Sequence, residues 1–235
     1  MTKRVAILQS NYLPWKGYFD IIHDVDEFVF HDDLQYTKQD WRNRNRIKTP
    51  NGAAWLTIPV GDCEQRLICD VELPAGNWAR DHWRMIEASY ARAPHFERYR
   101  DLLRDALFGS EWRLLSDLNQ HLIRLIARTL LGLKTEFRDS RSLDLGDARK
   151  QERVLAIVQK TGAGVYVSGP AAKAYLEPQR FAEAGVTLVW KDYAGYPEYE
   201  QLHAPFRHDV TILDLLFHAG PDAPHYIWGW REQRQ

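Results

Sequence analysis

The stretch that decides the fold is residues 5–60, VAILQSNYLPWKGYFDIIHDVDEFVFHDDLQYTKQDWRNRNRIKTPNGAAWLTIPV. It contains two short runs rich in apolar residues, residues 5–8 and residues 27–30, and between them a turn with Pro14 and Gly17 and a segment with helical spacing. Because a buried parallel strand is a nearly continuous apolar run, two such runs around a helix predict a strand–helix–strand unit of a parallel sheet.

Polar side chains follow both of these runs. Gln9 comes directly after the first run, and the adjacent carboxylates Asp32 and Asp33 follow the second one. In an open α/β sheet, ligands bind in the crevice outside the carboxyl ends of the strands. The sequence therefore predicts the front of an active site at this edge of the sheet.

The rest of the chain alternates between strand and helix patterns, apart from one helical block at about 78–134. Further strands are predicted at residues 53–60, 67–73, 135–138, 165–167 and 186–190, and further helices at residues 149–161, 171–176 and 209–217. An aromatic segment, residues 226–230, is predicted to pack back on the body. These patterns favour a single α/β domain over residues 1–235, with a Rossmann-like, mostly parallel sheet and an inserted helical block.

Composition excludes several classes of protein. The net charge of −1 gives no electrostatic support for a nucleic-acid or membrane partner. The opening apolar run of four residues is too short for a signal peptide, and nothing approaches the ~20 apolar residues of a membrane-spanning helix. Cys63 and Cys69 form no CxxC pair for zinc. We therefore expect a cytoplasmic protein that acts on a small molecule, without a metal site.

The first candidate site is the turn at residues 9–18, QSNYLPWKGY. A glycine-containing turn between a strand and a helix can present backbone N–H groups to an anion, and Lys16 would add a positive charge. The turn lacks the GxGxxG and Walker patterns of nucleotide sites. The order Pro14-x-x-Gly17-Tyr18 loosely resembles the HxGH turn of nucleotidylyl transferases, with aromatic residues in place of both histidines. The structural alternative is a helix start with aromatic packing.

The second candidate site combines a carboxylate pair with a basic segment. Asp32 and Asp33 at a strand end can bind a metal, hold a sugar hydroxyl or act as a general base. Arg42, Arg44 and Arg46 alternate along the chain, so in an extended segment they point the same way and can hold a phosphate or carboxylate bidentately. The structural alternative is a solvated basic loop paired with the neighbouring acids.

Two further positions carry chemistry. His82 lies on a predicted helix and changes charge near neutral pH, so it is a candidate general acid or base, with a structural role as the alternative. Ser168 and Gly169 end a predicted strand before a helix, which suits ligand binding through backbone N–H groups. They do not form a GxSxG elbow, so the sequence predicts no serine nucleophile.

Spaced motifs cover nearly the whole chain: Gln9…Tyr12-Leu13-Pro14-Trp15-x-Gly17-Tyr18-Phe19, Asp33-x-Gln35-Tyr36, Trp41-x-Asn43-Arg44-Asn45, Trp55-Leu56-x-Ile58-Pro59-Val60, Tyr166-x-Ser168-Gly169, Tyr175 and Ile212-Leu213-Asp214-Leu215-Leu216. In these motifs the chain resembles the WbqC-like protein family. It departs from the family pattern at Ser10, where a proline is usual, and at Thr211, where a serine is usual.

The resemblance implies a role in bacterial surface-polysaccharide biosynthesis, that is O-antigen or lipopolysaccharide, or in related amino-sugar pathways. It implies a transferase that adds an acyl or aminoacyl group, such as glycyl, to a nucleotide-linked amino sugar. In this hypothesis Asp33 or His82 accepts a proton from the attacking amine, and Lys16, Arg42 and Arg44 hold phosphates or a carboxylate. The other candidate substrate ligands are Gln9, Tyr12, Gly17, Tyr18, Gln35, Asn43, Ser168 and Gly169.

The transferase hypothesis requires no cofactor, and its partners are a nucleotide-sugar and an acyl or aminoacyl carrier. A second enzymatic hypothesis is an adenylate-forming enzyme that uses ATP and magnesium, with Lys16 and Arg44 on the phosphates. The non-enzymatic hypothesis is a scaffold that binds a nucleotide-sugar or a carrier domain, with exposed aromatic residues as its interface.

Overall fold

The computed structural model describes residues 2–232. Its strands are β1 (Arg4–Leu8), β2 (Glu27–Phe30), β3 (Arg44–Thr49), β4 (Gly52–Thr57), β5 (Glu136–Asp139), β6 (Val165–Ser168) and β7 (Thr187–Trp190). Its α-helices are α1 (Lys16–His23), α2 (Trp78–Tyr90), α3 (Phe96–Phe108), α4 (Leu115–Leu125), α5 (Lys150–Thr161), α6 (Pro178–Glu183), α7 (Ile212–Ala219) and α8 (Gly229–Glu232).

Five strands form a sheet in the spatial order β5-β2-β1-β6-β7, and every neighbouring pair is parallel. The chain starts in the middle of the sheet, extends it on one side, and then crosses back to the other side of β1. This is the order of a doubly wound Rossmann-like sheet, whose switch point lies between β1 and β6. The predicted α/β fold with a parallel sheet is confirmed.

The central strands are apolar throughout because both faces of the sheet are covered. Ala6 and Phe28 pack into a core cluster with α1, α7 and the helical block. Val5 and Val29 point to the opposite face and pack into a second cluster with α5 and α6. Side chains alternate between the faces of a strand, so a strand that is covered on both faces reads as a continuous apolar run.

The helical block lies where the periodicity predicted it. It consists of α2, α3 and α4, and α4 continues into a π-helical turn, Ile126–Leu130. The apolar faces of these helices belong to the same core cluster as α1. The block therefore covers one face of the sheet.

Two predicted strands differ in the structure. Residues 53–60 contain β4, which pairs with β3 in an antiparallel hairpin outside the parallel sheet. The two-residue connection Pro50-Asn51 explains this pairing, because a parallel crossover needs a dozen or more residues. Residues 67–73 form a 3-10 turn, Ile68–Asp70, with isolated bridges on either side.

Two predicted helices also differ, both in the C-terminal half of the chain. The helix predicted at residues 171–176 is a 3-10 turn, Pro170–Ala174, and α6 starts later. The closing helix starts at Ile212, because the Thr211 hydroxyl accepts the backbone N–H of Leu213 as an N-cap. The aromatic segment packs back as predicted, with Trp228 stacked on His23 at 4.2 Å between ring centroids. Within the described chain, every helix is too short or too polar to cross a membrane.

Candidate functional site

A cavity of about 760 Å³ opens at the carboxyl edge of β1, β2 and β6, at the switch point of the sheet. Ligand pockets in proteins typically have volumes of about 300–1,000 Å³. The lining includes strand ends and the first turn of α5: Leu8, Gln9, His31, Lys150, Gln151, Tyr166, Ser168, Gly169 and Tyr175. Three of the predicted residues, Gln9, Ser168 and Gly169, are therefore brought together here. We call it the switch-point cavity.

His31 connects the switch-point cavity to a cluster of charged side chains. Arg153 on α5 donates a hydrogen bond from Nε to His31 Nε2 at 3.3 Å, and it also pairs with the carboxylate of Asp33. Asp33 accepts a second hydrogen bond from the Ser140 hydroxyl, which follows β5. Both oxygens of Asp33, a predicted proton acceptor, are therefore hydrogen-bonded within the protein.

The imidazole of His31 is neutral and has one free donor. Burial lowers the pKa of His31 to about 4, so the ring is uncharged at neutral pH. A guanidinium has no acceptor atom, so Nε2 must accept from Arg153, and the network assigns the ring hydrogen to Nδ1. Among residues 2–232, Nδ1 has no hydrogen-bond partner. His31 therefore supplies a neutral N–H donor in the wall of the cavity.

Sequence reasoning missed His31, although it directly follows the second apolar run. At this strand end the site was predicted from the two carboxylates at positions 32 and 33. The signal that was present is the position itself, because residues just past a parallel strand line the ligand crevice. Its partner Arg153 gave no local signal, since the two residues meet only after the chain has crossed the sheet.

The first turn of α5 makes the cavity suitable for an anion. Lys150 and Gln151 begin this helix and line the switch-point cavity. The unpaired backbone N–H groups of a helix N-terminus and the helix dipole favour negative charge. The side chain of Lys150 adds a full positive charge at the same place.

Asp32 belongs to a different network from its neighbour. Its side chain is fully buried and accepts hydrogen bonds from the backbone N–H of Ser10 at 2.7 Å and from Gln120 at 2.9 Å. Gln120 also donates to Asp139 at the end of β5. Burial raises the pKa of Asp32. The two adjacent carboxylates therefore stabilise separate parts of the strand ends instead of acting as one pair.

Gln9 and Arg42, two predicted substrate ligands, are in direct contact. The side-chain oxygen of Gln9 accepts a hydrogen bond from Arg42 at 2.8 Å, and Arg42 forms an ion pair with Asp40 at 2.7 Å. The Tyr18 hydroxyl donates to the backbone oxygen of Gln9 at 2.9 Å. Arg42 thus lies next to the switch-point cavity, and Tyr18 holds the backbone of Gln9, which lies between Arg42 and the cavity.

Lys16 and Gly17 are enclosed by aromatic side chains. Lys16 is 2% exposed, and its ammonium lies over the rings of Tyr196 and Tyr199, 4.8 and 5.4 Å from their centroids. Burial lowers the pKa of Lys16 to about 8. A Cβ atom at Gly17 would lie 2.2 Å from the ring of Trp15, so glycine leaves the space that the indole occupies. This placement favours a structural role for both residues.

His82, Tyr12 and Asn43 hold three elements together. His82 Nδ1 lies 3.0 Å from the Tyr12 hydroxyl, and Nε2 lies 3.2 Å from the backbone oxygen of Thr57. Burial lowers the pKa of His82. Asn43 donates to the backbone oxygen of Ile58 at 2.9 Å. Because both ring nitrogens are hydrogen-bonded, this arrangement favours a structural role for His82 between α2, the N-terminal turn and the hairpin.

The remaining predicted ligands lie on or near the hairpin. Arg44 and Arg46 share its outer face, and the guanidinium of Arg44 lies 4.2 Å from the ring centroid of Trp55. Arg46 pairs with Asp209 at 2.7 Å. Gln35 is exposed and forms an isolated bridge. The predicted residues therefore do not form one site: Gln9, Ser168 and Gly169 line the switch-point cavity, Arg44 lies on the hairpin, and the others are held elsewhere.

Comparisons with known proteins give a family match and a relative. The family model described as the WbqC-like protein family matches residues 9–226. The "Uncharacterized protein Rv1507c" of Mycobacterium tuberculosis (strain ATCC 25618 / H37Rv) is 44% identical over 228 residues, which cover 96% of this chain and 97% of that protein. No solved structure matches.

Proposed function

The chain belongs to the WbqC-like protein family, and we propose that it is a transferase that attaches an acyl or aminoacyl group to a nucleotide-linked amino sugar. The observation that carries the proposal is the switch-point cavity, with a helix N-terminus and a neutral histidine donor in its wall. Doubly wound sheets bind nucleotides at this place. Its product would enter surface-polysaccharide biosynthesis in the cytoplasm.

The cavity suits such a substrate in two ways. The negative phosphates fit the first turn of α5, where Lys150 and backbone N–H groups supply positive potential. The acyl group fits next to His31, whose Nδ1–H would donate to the acyl oxygen as negative charge develops there. Ser168 and Gly169 would contact the substrate from the end of β6.

The reaction balances with an acyl thioester as donor. The amine nitrogen attacks the acyl carbon, so a C–N bond forms and the C–S bond breaks. The amine loses one proton, and the thiol leaves carrying it. Asp33 holds Arg153, and Arg153 fixes the tautomer of His31, so the geometry favours a positioning role for Asp33.

The proposal is tested by turnover of a nucleotide-linked amino sugar with an acyl thioester, with the amide product followed by mass spectrometry. We expect His31→Ala to lower kcat about 10²–10³-fold, the usual effect of removing one oxyanion donor. Lys150→Ala should mainly raise KM for the nucleotide-sugar. Lys160→Ala, on the exposed last turn of the same helix, is the matched control and should leave both constants unchanged.

A thermal-shift screen separates the alternatives. A ligand that binds only the folded state adds about 2.7 kcal/mol of stability at 100 times its Kd. Stabilisation by a nucleotide-sugar without turnover of any donor would favour a scaffold. Stabilisation by ATP with magnesium alone would favour adenylate formation. Full activity of His31→Ala would remove this residue from the mechanism.

A further inference from the structure

A second pocket, of about 310 Å³, lies between the N-terminal turn and the outer face of the hairpin. Its walls include the rings of Trp15 and Trp41 and the polar side chains of Asn11, Arg46 and Asp209. We propose that this pocket binds a nucleobase and that Arg44 beside it binds the attached phosphate. This inference rests on the proposed function only for the claim that the nucleotide is part of a nucleotide-linked amino sugar. Binding of the nucleotide itself is tested separately.

The first observation is an exposed aromatic surface. Trp41 and Trp55 are each 40% exposed, and their ring centroids lie 5.7 Å apart. Trp41 lines the pocket, and Trp55 pairs directly opposite Arg46 in the hairpin. Exposed indoles grouped in this way mark a contact surface, and a nucleobase stacks on the part of the rings that the guanidinium groups of Arg44 and Arg46 leave open.

The second observation is a pair of unsatisfied polar atoms. Asn11 Oδ1 and Arg46 Nε are buried, and neither has a hydrogen-bond partner in the described part of the chain. A buried polar group without a partner is unfavourable, and both residues line the pocket, so a ligand that draws these side chains toward it and supplies partners is favoured. Asn11 Oδ1 needs a donor and Arg46 Nε needs an acceptor. The Watson–Crick edge of every nucleobase carries a donor next to an acceptor.

The third observation is the distribution of charge. The ion pair between Arg46 and Asp209 leaves the pocket neutral, as an uncharged base requires. Arg44 lies two residues earlier on the same face of the strand, about 7 Å away. Over residues 2–232, no carboxylate lies within ion-pair distance of Arg44. An arginine without an acidic partner suits a phosphate, and a sugar ring alone would leave it unpaired.

The second pocket and the switch-point cavity are adjacent through two neighbouring segments. Arg42 donates to Gln9, which lines the switch-point cavity. One residue earlier, the backbone oxygen of Trp41 accepts from Tyr12 at 2.9 Å, and Trp41 lines the second pocket. The two pockets therefore lie on either side of the paired segments 9–12 and 41–42.

The test is titration calorimetry of the full chain with UMP, AMP, uridine and a methyl glycoside. We expect Trp41→Ala to weaken UMP and uridine binding at least tenfold, about 1.4 kcal/mol, while Trp41→Phe keeps most of the affinity. Arg44→Ala should weaken UMP binding at least tenfold and leave uridine binding nearly unchanged. Arg84→Ala, an exposed arginine on α2, is the matched control.

Four outcomes would overturn the inference. They are no binding of any nucleotide, nucleotide affinities unchanged by both alanine variants, equal loss of uridine and UMP affinity in Arg44→Ala, or Trp41-dependent binding of the methyl glycoside alone. Melting temperatures of the variants check that they fold. If Trp41→Ala does not fold, the affinity of Trp41→Phe still tests the contact with the ring. If nucleotides bind as expected but no acyl transfer occurs, the inference stands and the proposed function fails. If acyl transfer occurs but nucleotide affinity is unchanged in Trp41→Ala and Arg44→Ala, the proposed function stands and this inference fails.

Discussion

At the scale of single residues, His31 shows how a remote contact sets the chemistry of a side chain. Its position after β2 places it in the switch-point cavity, but Arg153 decides which ring nitrogen carries the hydrogen. Without that hydrogen bond the neutral ring could present either a donor or an acceptor to a ligand. The contact thus turns a histidine into a dedicated donor.

The same residue makes stability depend on pH. The pKa of His31 falls from an ordinary 6.5 to about 4 on burial, so below pH 6.5 the unfolded state binds more protons than the folded state. The free energy of unfolding should therefore decrease by about 3 kcal/mol as the pH falls from 6.5 to 4. We expect His31→Gln to flatten this slope in urea denaturation at pH 4, 5, 6 and 7.

Two histidines help to interpret that measurement. Burial also lowers the pKa of His82, so some pH dependence remains in His31→Gln. His225→Gln, at a partly exposed position outside the switch-point cavity, is the control for the loss of an imidazole elsewhere in the chain. A slope unchanged in His31→Gln would mean that His31 titrates normally in the folded protein.

Lys16 allows a different test, because it is buried among aromatic side chains and still carries its charge at pH 7. Burial lowers its pKa from 10.5 to about 8, so the folded state retains a costly charge at pH 7. We expect Lys16→Met to raise the free energy of unfolding at pH 7 by up to about 3 kcal/mol. The gain should shrink between pH 8 and pH 10.5, where the wild-type folded state loses the proton first.

Thermal denaturation at pH 7 and pH 10 measures this difference, with the exposed Lys160→Met as control. A lower melting temperature for Lys16→Met at pH 7 would show that the contacts of the ammonium with Tyr196 and Tyr199 outweigh the cost of its burial.

The sequence predicted the cavity residues that follow strands, because their position depends only on local pattern. Gln9, Ser168 and Gly169 each come at the end of an apolar run, and the fold brings those ends to one edge. Lys16 was predicted from its charge in the turn between the first strand and its helix, and His82 from its change of charge near neutral pH. Their burial is set by residues more than a hundred positions away for Lys16 and by the hairpin for His82, and no local pattern carries that information.

At the scale of elements, most helices and the parallel strands followed their periodicities, whereas the 3-10 turn at Pro170–Ala174 and the antiparallel pairing of β4 did not follow from the sequence pattern. A strand pattern shows which face is buried but not which strand lies beside it. For β4 the useful signal was the length of the connection, since the two residues Pro50 and Asn51 allow only an antiparallel neighbour.

The start of α1 depends on a close fit between Gly17 and Trp15. A Cβ atom at position 17 would overlap the indole, so we expect Gly17→Ala to lower the free energy of unfolding by about 1–3 kcal/mol, the range for overpacking. Since Trp15 lines the second pocket, nucleotide affinity should also fall.

The double variant Gly17→Ala with Trp15→Phe isolates this contact, because the smaller ring leaves room for the methyl group. Urea denaturation of the two single variants and the double variant gives a coupling energy. Additive effects would show that the ring and position 17 do not clash in solution.

At the scale of the whole molecule, the α/β class followed from the alternation of patterns, but the strand order did not. The chain adds β2 and β5 on one side of β1 and returns to place β6 and β7 on the other. That reversal creates the switch point and hence the cavity. Nothing local in residues 140–165 marks the direction of the crossover, because either side of β1 would accept an apolar strand.

The central position of β1 in the sheet also determines how long one edge of this strand stays unpaired during synthesis. Arg4 pairs with Val165, so one edge of the central strand waits for a partner that lies about 160 residues later in the chain. At about 5 to 20 residues per second, the ribosome needs roughly 10 to 30 s to make that partner. Throughout this interval the nascent chain carries an open apolar strand edge, the kind of surface that chaperones bind and that neighbouring nascent chains can join.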